Sequence, residues 1–316
     1  MPENAQIKSV PMIVNVAKWT QTDFRKKARS SNKLQMISIS YSHYCEFARF
    51  ALLVDKVEFE ELKCAPGQHI LPTLALRYGG ETPAISESAA MYKVGKEGEA
   101  KAKAEKAARS TATPVAVAPD GSVYVDSWDI AKSTGLARCD EGLRKLLDEG
   151  VGIDARHAAY FYLLQDRNIP LFHEMGGIND SWEWRTIWNF GLKHHVTKLL
   201  GGTFLVSDAA AKDVALARLR DTFRRIDDEH LRGKKGDYLS GGDAPGLGDV
   251  ALAALAAPIV LPGRNYGGKY RGVFDRLLEG EAELRGIVEE FRATAVGRHC
   301  LMVYERHRPL AEGVAA

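Results

Sequence analysis

The chain has 316 residues, with 43 Lys and Arg against 41 Asp and Glu, so its formal net charge is only +2. At about 150 residues per domain this length favours two domains, and so small a net charge gives no field that would attract nucleic acid or an anionic membrane. Charged residues make up 27% of the chain and aromatic residues 9%, which excludes a wholly disordered protein. The composition therefore predicts a folded, two-domain protein with no nucleic-acid partner.

The four cysteines form neither a CxxC pair nor a regular framework, a pattern typical of a reducing compartment. No apolar run reaches the roughly 18 residues that span a bilayer, and the first residues lack the pattern of a secretory signal. We therefore expect a cytoplasmic protein with no membrane span. Residues 1–35 are rich in Lys and Arg, so targeting to an organelle stays open, although a loosely ordered N-terminal extension is the favoured interpretation.

Residues 36–135 begin with alternating strand and helix patterns. Apolar runs and period-two alternation indicate strands, while apolar residues spaced three and four apart indicate helices. The predicted order is a strand at 35–40, a helix at 44–56, a strand at 57–63 and a short helix at 70–78. Ser42 stands immediately before the first helix, where a hydroxyl is useful as an N-cap.

A segment of different composition interrupts this domain at about 80–111. Between Lys93 and Arg109 it consists of Lys, Glu, Ala and Gly with one valine. Opposite charges four residues apart favour a helix, but without an apolar stripe nothing would fix that helix to a core. We interpret 80–111 as a partly helical insertion.

The first domain resumes with a hairpin and a helix. Two apolar runs, 115–118 and 123–125, flank Pro119-Asp120-Gly121, and this turn chemistry between apolar runs predicts a β-hairpin. Asp126 and Ser127 then precede a helix, and either side chain can cap it. The N-terminal half therefore has the element order of a thioredoxin-like domain.

Residues 143–305 are predicted to form an all-α domain, because no convincing strand pattern follows Leu143. Helices are predicted at 155–164, 182–200, 209–231, 248–257 and 274–295. In the third of these, the apolar face is assigned to Val214, Ala217, Phe223 and Ile226.

The corner between the first strand and the first helix is the strongest candidate site. The N–H groups at a helix start favour an anion, and the hydroxyl of Ser42 can donate a hydrogen bond to a bound thiolate. Tyr41 and Tyr44 are alternative donors, and Ser42 can also be a cap and nothing more. Cys45 is either a reactive thiol near a helix start or a small buried residue of the core.

The motifs in this order resemble those of the cytosolic glutathione transferase superfamily, in its serine type. The match covers residues 36–78 and 112–295. It is carried by the Ser-x-x-Cys-Glu-x-Ala-Arg sequence starting at Ser42, by Thr113-Pro114, by Pro119-Asp120-Gly121, by Asp126-Ser127-Trp128 and by Pro245-Gly246-Leu247-Gly248-Asp249. The resemblance implies a thioredoxin-like α/β domain followed by an all-α helical bundle, the glutathione transferase architecture.

The resemblance also implies roles for particular residues. Ser42 would activate the glutathione thiol, and Thr113, beside a cis Pro114, would pair with the cysteinyl backbone of glutathione. Asp126 and Ser127 would bind the γ-glutamyl group. Candidates for the glycine carboxylate are Lys63, Gln68 and His69. The chain departs from the family at Thr113, where a hydrophobic residue is usual, and at Gly246, where a hydroxyl residue is usual.

The implied function is conjugation of glutathione, as co-substrate, to a small hydrophobic electrophile by a homodimer that needs no metal. Two alternatives stay open: a glutathione-dependent thiol–disulfide reductase that uses Cys45, and a non-catalytic binding protein of the same fold. An aromatic-rich helical region is either a candidate wall for the electrophile pocket or, for half of its residues, part of the core; it consists of Phe161, Tyr162, Phe172, Trp182, Trp184 and Trp188.

Overall fold

The computed structural model describes residues 24–78, 112–178, 182–204, 208–234, 236–263 and 266–309. The predicted insertion at 80–111 and most of the predicted N-terminal extension lie outside these residues. Among the helices in the described ranges, none is long and apolar enough to cross a membrane.

The first domain is a four-stranded mixed sheet with helices packed on it. Its elements are α1 (24–31), β1 (Leu34–Ile39), α2 (His43–Val54), β2 (Phe59–Cys64), α3 (Ile70–Tyr78), β3 (Val115–Val117), β4 (Val123–Tyr124) and α4 (Ser127–Lys132). The strand order is β2-β1-β3-β4, with β1 parallel to β2 and the other neighbours antiparallel. A parallel pair needs a crossover helix, and α2 supplies it. This order confirms the predicted thioredoxin-like fold.

The ordered domain begins before residue 36, the predicted boundary. The strand β1 starts at Leu34, and Ala28 of α1 is fully buried against Ile37, Leu76 and Val115. Ala28 therefore contributes to the core of the first domain, although it precedes the predicted boundary.

The β3–β4 turn has the predicted chemistry. The N–H of Gly121 donates to the carbonyl of Ala118 at 2.9 Å, and Ala118 N–H donates to Ser122 at 2.9 Å. Gly121 has φ +91°, a left-handed conformation that glycine adopts without a Cβ clash. The Asp120 carboxylate accepts the Ser122 N–H at 2.8 Å, which closes the turn.

The second domain is helical, and within the described residues no strand follows β4. Here α5 (Glu141–Lys145) continues through a π-helical stretch (Leu146–Gly152) into α6 (Ile153–Leu163). The remaining helices are α7 (Ile169–Gly177), α8 (Trp182–Ile187), α9 (Lys193–Phe204), α10 (Ala209–Ile226), α11 (Leu247–Val260), α12 (Arg271–Gly280), α13 (Ala282–Ala293) and α14 (Ala295–His307). The predicted all-α domain is confirmed.

The helix predicted at 274–295 is two helices, α12 and α13, separated at Glu281. The backbone of Glu281 leaves the helical region, with φ −121° and ψ 87°. Its carboxylate accepts hydrogen bonds from Arg167 at 2.5 and 2.6 Å and from Asn168 at 2.5 Å. These contacts with a distant segment stabilise the break, which local periodicity does not reveal.

The buried face of α10 also differs from the predicted one. Val214 is 53% exposed and Ala217 is exposed, whereas Ala215, Leu216 and Leu219 are buried beside the correctly assigned Phe223 and Ile226. Both sets have helical spacing. Because α10 packs on α6, tertiary contact selects between them.

The helix α11 lies at the centre of the second domain and packs against α2 of the first. Asp249 stabilises its N-terminus by accepting the Gly246 N–H at 2.8 Å. The same carboxylate accepts Leu239 N–H at 2.8 Å and contacts His299 Nε2 at 2.9 Å. Asp249 therefore makes its half of a capping box, while Gly246 has no hydroxyl for the other half.

A network of buried charges fixes α2 in place. Glu46 accepts hydrogen bonds from Arg49 Nη1 at 2.5 Å and from Arg308, after α14, at 2.7 Å. Arg49 also donates from Nε to both oxygens of Glu61 on β2, at 3.1 and 3.0 Å. Burial raises the pKa of Glu61, but the charge of Arg49 and the hydrogen bonds from Arg49 and Ser38 outweigh it and hold that pKa below its usual value. The network ties α2 to the sheet and to the end of the helical domain.

Replacement of Glu46 by alanine should lower the free energy of unfolding by about 3–5 kcal/mol, because two buried arginines would lose a shared anion. Urea denaturation followed by circular dichroism measures this. The matched control is Glu290→Ala, which breaks an ion pair with Arg220 whose side chains are 44% and 46% exposed. That control should cost no more than about 1 kcal/mol. Equal losses in the two variants would contradict a structural role for the network.

Candidate functional site

A pocket with a cavity volume of about 70 Å³ opens where β1 ends and α2 begins, and we call it the corner pocket. One wall is the corner segment Tyr41–His43. The facing wall is a stripe on α6, and other described residues of the lining, such as Leu261 and Phe274, are apolar. The α6 stripe consists of Arg156, Ala159, Tyr160 and Leu163.

Ser42 is the N-cap of α2, and it lines the corner pocket. Its Oγ accepts the backbone N–H of Cys45 at 3.5 Å. A hydroxyl that accepts a hydrogen bond in this way keeps its own proton for donation. Because the positive end of the helix dipole lies at the same place, Ser42 can donate to an anion bound in the pocket.

Cys45 is fully buried behind Ser42. Its sulfur accepts the N–H of Ile39 at 3.3 Å. Burial raises the pKa of the Cys45 thiol, and this effect exceeds the lowering by hydrogen bonds from Ile39, Ser42 and Thr113. A buried thiol with a raised pKa is a poor nucleophile. The structure therefore favours the core interpretation of Cys45 over the reactive one.

The Thr113–Pro114 peptide bond is cis, as the resemblance implied. The side chain of Thr113 lies close enough to Cys45 to lower the pKa of its thiol, although burial outweighs this effect. A nearby thiol is a physical reason for a hydroxyl residue at a position where the family usually has a hydrophobic one. The backbone N–H of Cys45 donates to Ser42, so Thr113 and Ser42 both lie near Cys45.

Asp126 and Ser127 lie at the start of α4, which packs against α2. Asp126 caps α4 by accepting the Asp129 N–H at 2.7 Å, and Ser127 is buried. The next residue, Trp128, contacts Phe47 of α2, with the ring centroids 4.7 Å apart. The start of α4 is therefore close to the first turns of α2, although neither Asp126 nor Ser127 lines the corner pocket.

Of the candidates for the glycine carboxylate, Lys63 lies near the end of β2, and Gln68 and His69 follow this strand. They lie at the same end of the sheet as Ser42, because β1 and β2 are parallel. Gln68 Oε1 accepts the Ala65 N–H at 3.0 Å, and His69 Nδ1 accepts the Gly67 N–H at 3.2 Å. Burial lowers the pKa of His69 to about 4, so its ring is neutral at pH 7. Lys63 is exposed and is therefore the cation among the three candidates.

Several residues of the corner pocket are absent from the sequence-based prediction. His43 Nε2 donates to the carbonyl of Gly152 at 2.9 Å, and a Cβ at Gly152 would collide with the Tyr44 hydroxyl. Tyr266 donates to the carbonyl of Tyr41 at 3.2 Å.

The sequence does carry a signal for the α6 wall, since its four residues recur at i, i+3, i+4 and i+7. Which way that stripe faces depends on packing between domains.

The predicted aromatic wall is not the wall observed. Phe172, Trp184 and Trp188 are core residues, and Trp182 is 67% exposed. None of the six aromatic residues in that prediction lines the corner pocket. Its aromatic lining comes from other residues, namely Tyr41, Tyr160, Tyr266 and Phe274.

Metal-ligating side chains are dispersed in the part of the chain that the structure describes. No group of three or more His, Cys, Asp or Glu residues is placed there to hold a metal ion. All four cysteines are free, and three of them, Cys45, Cys64 and Cys300, are buried.

Comparison with known proteins gives matches among solved structures alone. No protein-family model and no curated protein matches the chain. It is similar to a glutathione S-transferase of Methylobacillus flagellatus with glutathione bound, at 13% identity and a TM-score of 0.40, over 85% of this chain and 98% of that one. It is also similar to a glutathione S-transferase of Methylobacterium radiotolerans in complex with glutathione sulfonate, at 15% identity and a TM-score of 0.35, over 90% and 98% of the two chains.

A third similar structure is a trimeric glutathione transferase of Leishmania, at 15% identity and a TM-score of 0.30, over 88% of this chain. The chain spans 48% of the length of that protein. At these TM-scores, the fold assignment rests on the strand order and element sequence of this chain itself.

The buried ring of His43 should make stability depend on pH. Burial, followed by the charge of Arg156, lowers the pKa of His43 to about 3. Between about pH 6.5 and pH 4 the unfolded chain therefore binds a proton that folded His43 does not. The free energy of unfolding should therefore decrease as the pH is lowered across this window. His43 contributes up to about 1.4 kcal/mol per pH unit to this decrease.

The matched variant is His43→Gln, which keeps an N–H donor for Gly152 but does not titrate. Urea denaturation of both proteins at several pH values measures the difference in slope. We expect the variant to lose stability less steeply than the unmodified protein as the pH falls. Parallel curves would show that His43 does not stay neutral in the folded state.

Proposed function

We propose that this protein is a glutathione transferase that directs the thiolate of glutathione at a small electrophile bound in the corner pocket. One observation carries the proposal: the hydroxyl of Ser42, at the start of α2, lines this pocket. In this assignment the protein is a member of the glutathione transferase superfamily, and glutathione is a co-substrate.

In the proposed mechanism, Ser42 donates a hydrogen bond to the sulfur of glutathione, and the N-terminus of α2 adds the positive end of its dipole. Both favour the thiolate, so they lower the thiol pKa, and each unit of lowering corresponds to about 1.4 kcal/mol. The backbone of Thr113 pairs with the cysteinyl residue, while Asp126 and Ser127 hold the γ-glutamyl group. Lys63 is the proposed partner of the glycine carboxylate.

The electrophile lies against the α6 wall, in a pocket whose largely apolar and aromatic lining excludes water. The sulfur attacks its electrophilic carbon and forms an S–C bond. In an aromatic substitution the halide leaves with the electron pair of its bond. The protein supplies orientation and stabilisation of the anionic sulfur.

The two alternative functions differ from the transferase in what they require of Cys45 and of the glutathione thiol. A reductase would need its thiolate to be accessible, and the complete burial of Cys45 disfavours this role. A non-catalytic protein would bind glutathione without lowering its thiol pKa. The homodimer and the cytoplasmic location stay predictions.

Replacement of Ser42 by alanine should lower kcat about 100-fold for conjugation of glutathione to 1-chloro-2,4-dinitrobenzene, because one preorganised donor to the anion is lost. The pH profile of kcat should shift upward, which reports a higher pKa of bound glutathione. Ser42→Thr is the matched control, since threonine keeps both the hydroxyl and the cap. Cys45→Ser should retain most of the activity.

The opposite pattern would contradict the proposal. If Cys45→Ser abolished glutathione-dependent reduction of hydroxyethyl disulfide while Ser42→Ala did not affect it, the reductase assignment would replace the transferase. If the unmodified protein bound glutathione in calorimetry but showed neither activity, the non-catalytic assignment would hold.

A further inference from the structure

We propose that the corner pocket selects electrophiles that carry a carboxylate, and that the guanidinium of Arg156 binds this group. The inference rests on the proposed transferase function, because it names the class of second substrate. It starts from a contrast in the lining. Most of the pocket is apolar or aromatic, yet the α6 stripe begins with a guanidinium, that of Arg156.

Arg156 is 9% exposed, and among the described residues that line the pocket it alone carries a formal charge. Its guanidinium lies over the ring of Tyr44, 5.7 Å from the centroid, a cation–π arrangement that helps to fix it. Burial lowers the pKa of His43 and raises that of Tyr160, and the charge of Arg156 adds to the first shift and opposes the second. Both residues line the same pocket. Because charges interact more strongly in a poorly solvated site, a fixed guanidinium there favours an anionic ligand group.

The hydroxyl of Tyr41 is a second, independent observation. This side chain is 7% exposed and lines the pocket, and its hydroxyl has no hydrogen-bond partner among the described residues. A buried hydroxyl without a partner is destabilising, and an acceptor on a ligand would satisfy it. Burial raises the pKa of Tyr41 well above its usual value, so the group is a donor at neutral pH. The pocket thus offers two donors in an apolar surrounding.

Glutathione also carries carboxylates, so the source of the anionic group must be decided. Of the proposed contacts of glutathione, Ser42, the contact of its sulfur, lines the corner pocket, whereas Thr113, Asp126 and Ser127 do not. Arg156 belongs to the wall formed by the second domain. This separation assigns Arg156 to the second substrate. The substrate class is therefore an apolar body with one carboxylate and one electrophilic carbon.

An aryl enone with a carboxylate on its ring is a suitable probe, and its methyl ester is the uncharged match. In the reaction the thiolate adds to the β-carbon and forms an S–C bond. The electrons of the double bond move to the α-carbon, which then takes a proton from water. No oxidant or reductant is required. The ester withdraws electrons more strongly than the carboxylate, so each kcat/KM is divided by the rate constant of the same compound with free glutathione.

The test measures kcat/KM for 4-(3-oxobut-1-enyl)benzoate and for its methyl ester. With the unmodified protein, kcat/KM should be about tenfold or more higher for the acid than for the ester. This is the factor expected from a hydrogen bond to a charged group. Arg156→Gln should abolish the preference, and Arg156→Lys should retain part of it. Tyr41→Phe should raise KM for the acid more than KM for the ester. Circular dichroism establishes that each variant is folded.

Three results would overturn the inference. The first is an equal kcat/KM for the acid and the ester with the unmodified protein. This result refutes the inference even if the Arg156→Gln variant does not fold. The second is an unchanged preference in a folded Arg156→Gln variant. The third is a higher KM for glutathione in that variant with the acid-to-ester ratio unchanged, which would assign Arg156 to glutathione.

Calorimetry with 4-phenylbutyrate, an unreactive acid, separates this inference from the proposed function. The unmodified protein should bind it without glutathione, and Arg156→Gln should bind it about tenfold more weakly. If binding followed this pattern while no electrophile was conjugated, the proposed function would fail and the carboxylate site would stand. If neither protein bound it, the carboxylate site would be refuted whatever the conjugation assays showed.

Discussion

The carboxylate of Glu46 lies between two buried arginines, and the position of α2 depends on this arrangement. Arg49 connects it to Glu61 on β2, and Arg308 connects it to the end of the helical domain. Buried charges of this kind are stable when each has an oppositely charged partner, and they specify one geometry because any shift would leave a charge unpaired. The helix that carries the candidate site is therefore fixed from both domains.

Because α2 is fixed, the side chains at its start lie in two different environments. Ser42 lines the corner pocket, whereas Cys45 is buried in the core and donates its backbone N–H to Ser42. The same turn carries His43, whose bond to Gly152 connects α2 to the π-helical stretch before α6. The two walls of the pocket are thus held by one short segment, which gives the donors at Tyr41 and Arg156 a defined relative position.

Much of the fold was predictable from sequence, because its signals are local. The hairpin followed from Pro119-Asp120-Gly121, and α3 and the caps at Ser42 and Asp126 followed from spacing and side-chain chemistry. The break at Glu281 and the buried face of α10 depend on contacts between distant segments, so periodicity alone assigned them wrongly. The candidate site was also predicted in part. The order of the motifs identified Ser42 as a site residue. Arg156 was not predicted, because a charged residue on a helix is usually solvated.

The most direct test of this account is a crystal structure of the protein with glutathione. We predict that its sulfur lies within hydrogen-bonding distance of the Ser42 hydroxyl, beside the cis Thr113–Pro114 bond and facing the corner pocket. The sulfur should be separate from that of Cys45. A sulfur distant from Ser42, or a disulfide between glutathione and Cys45, would contradict the account.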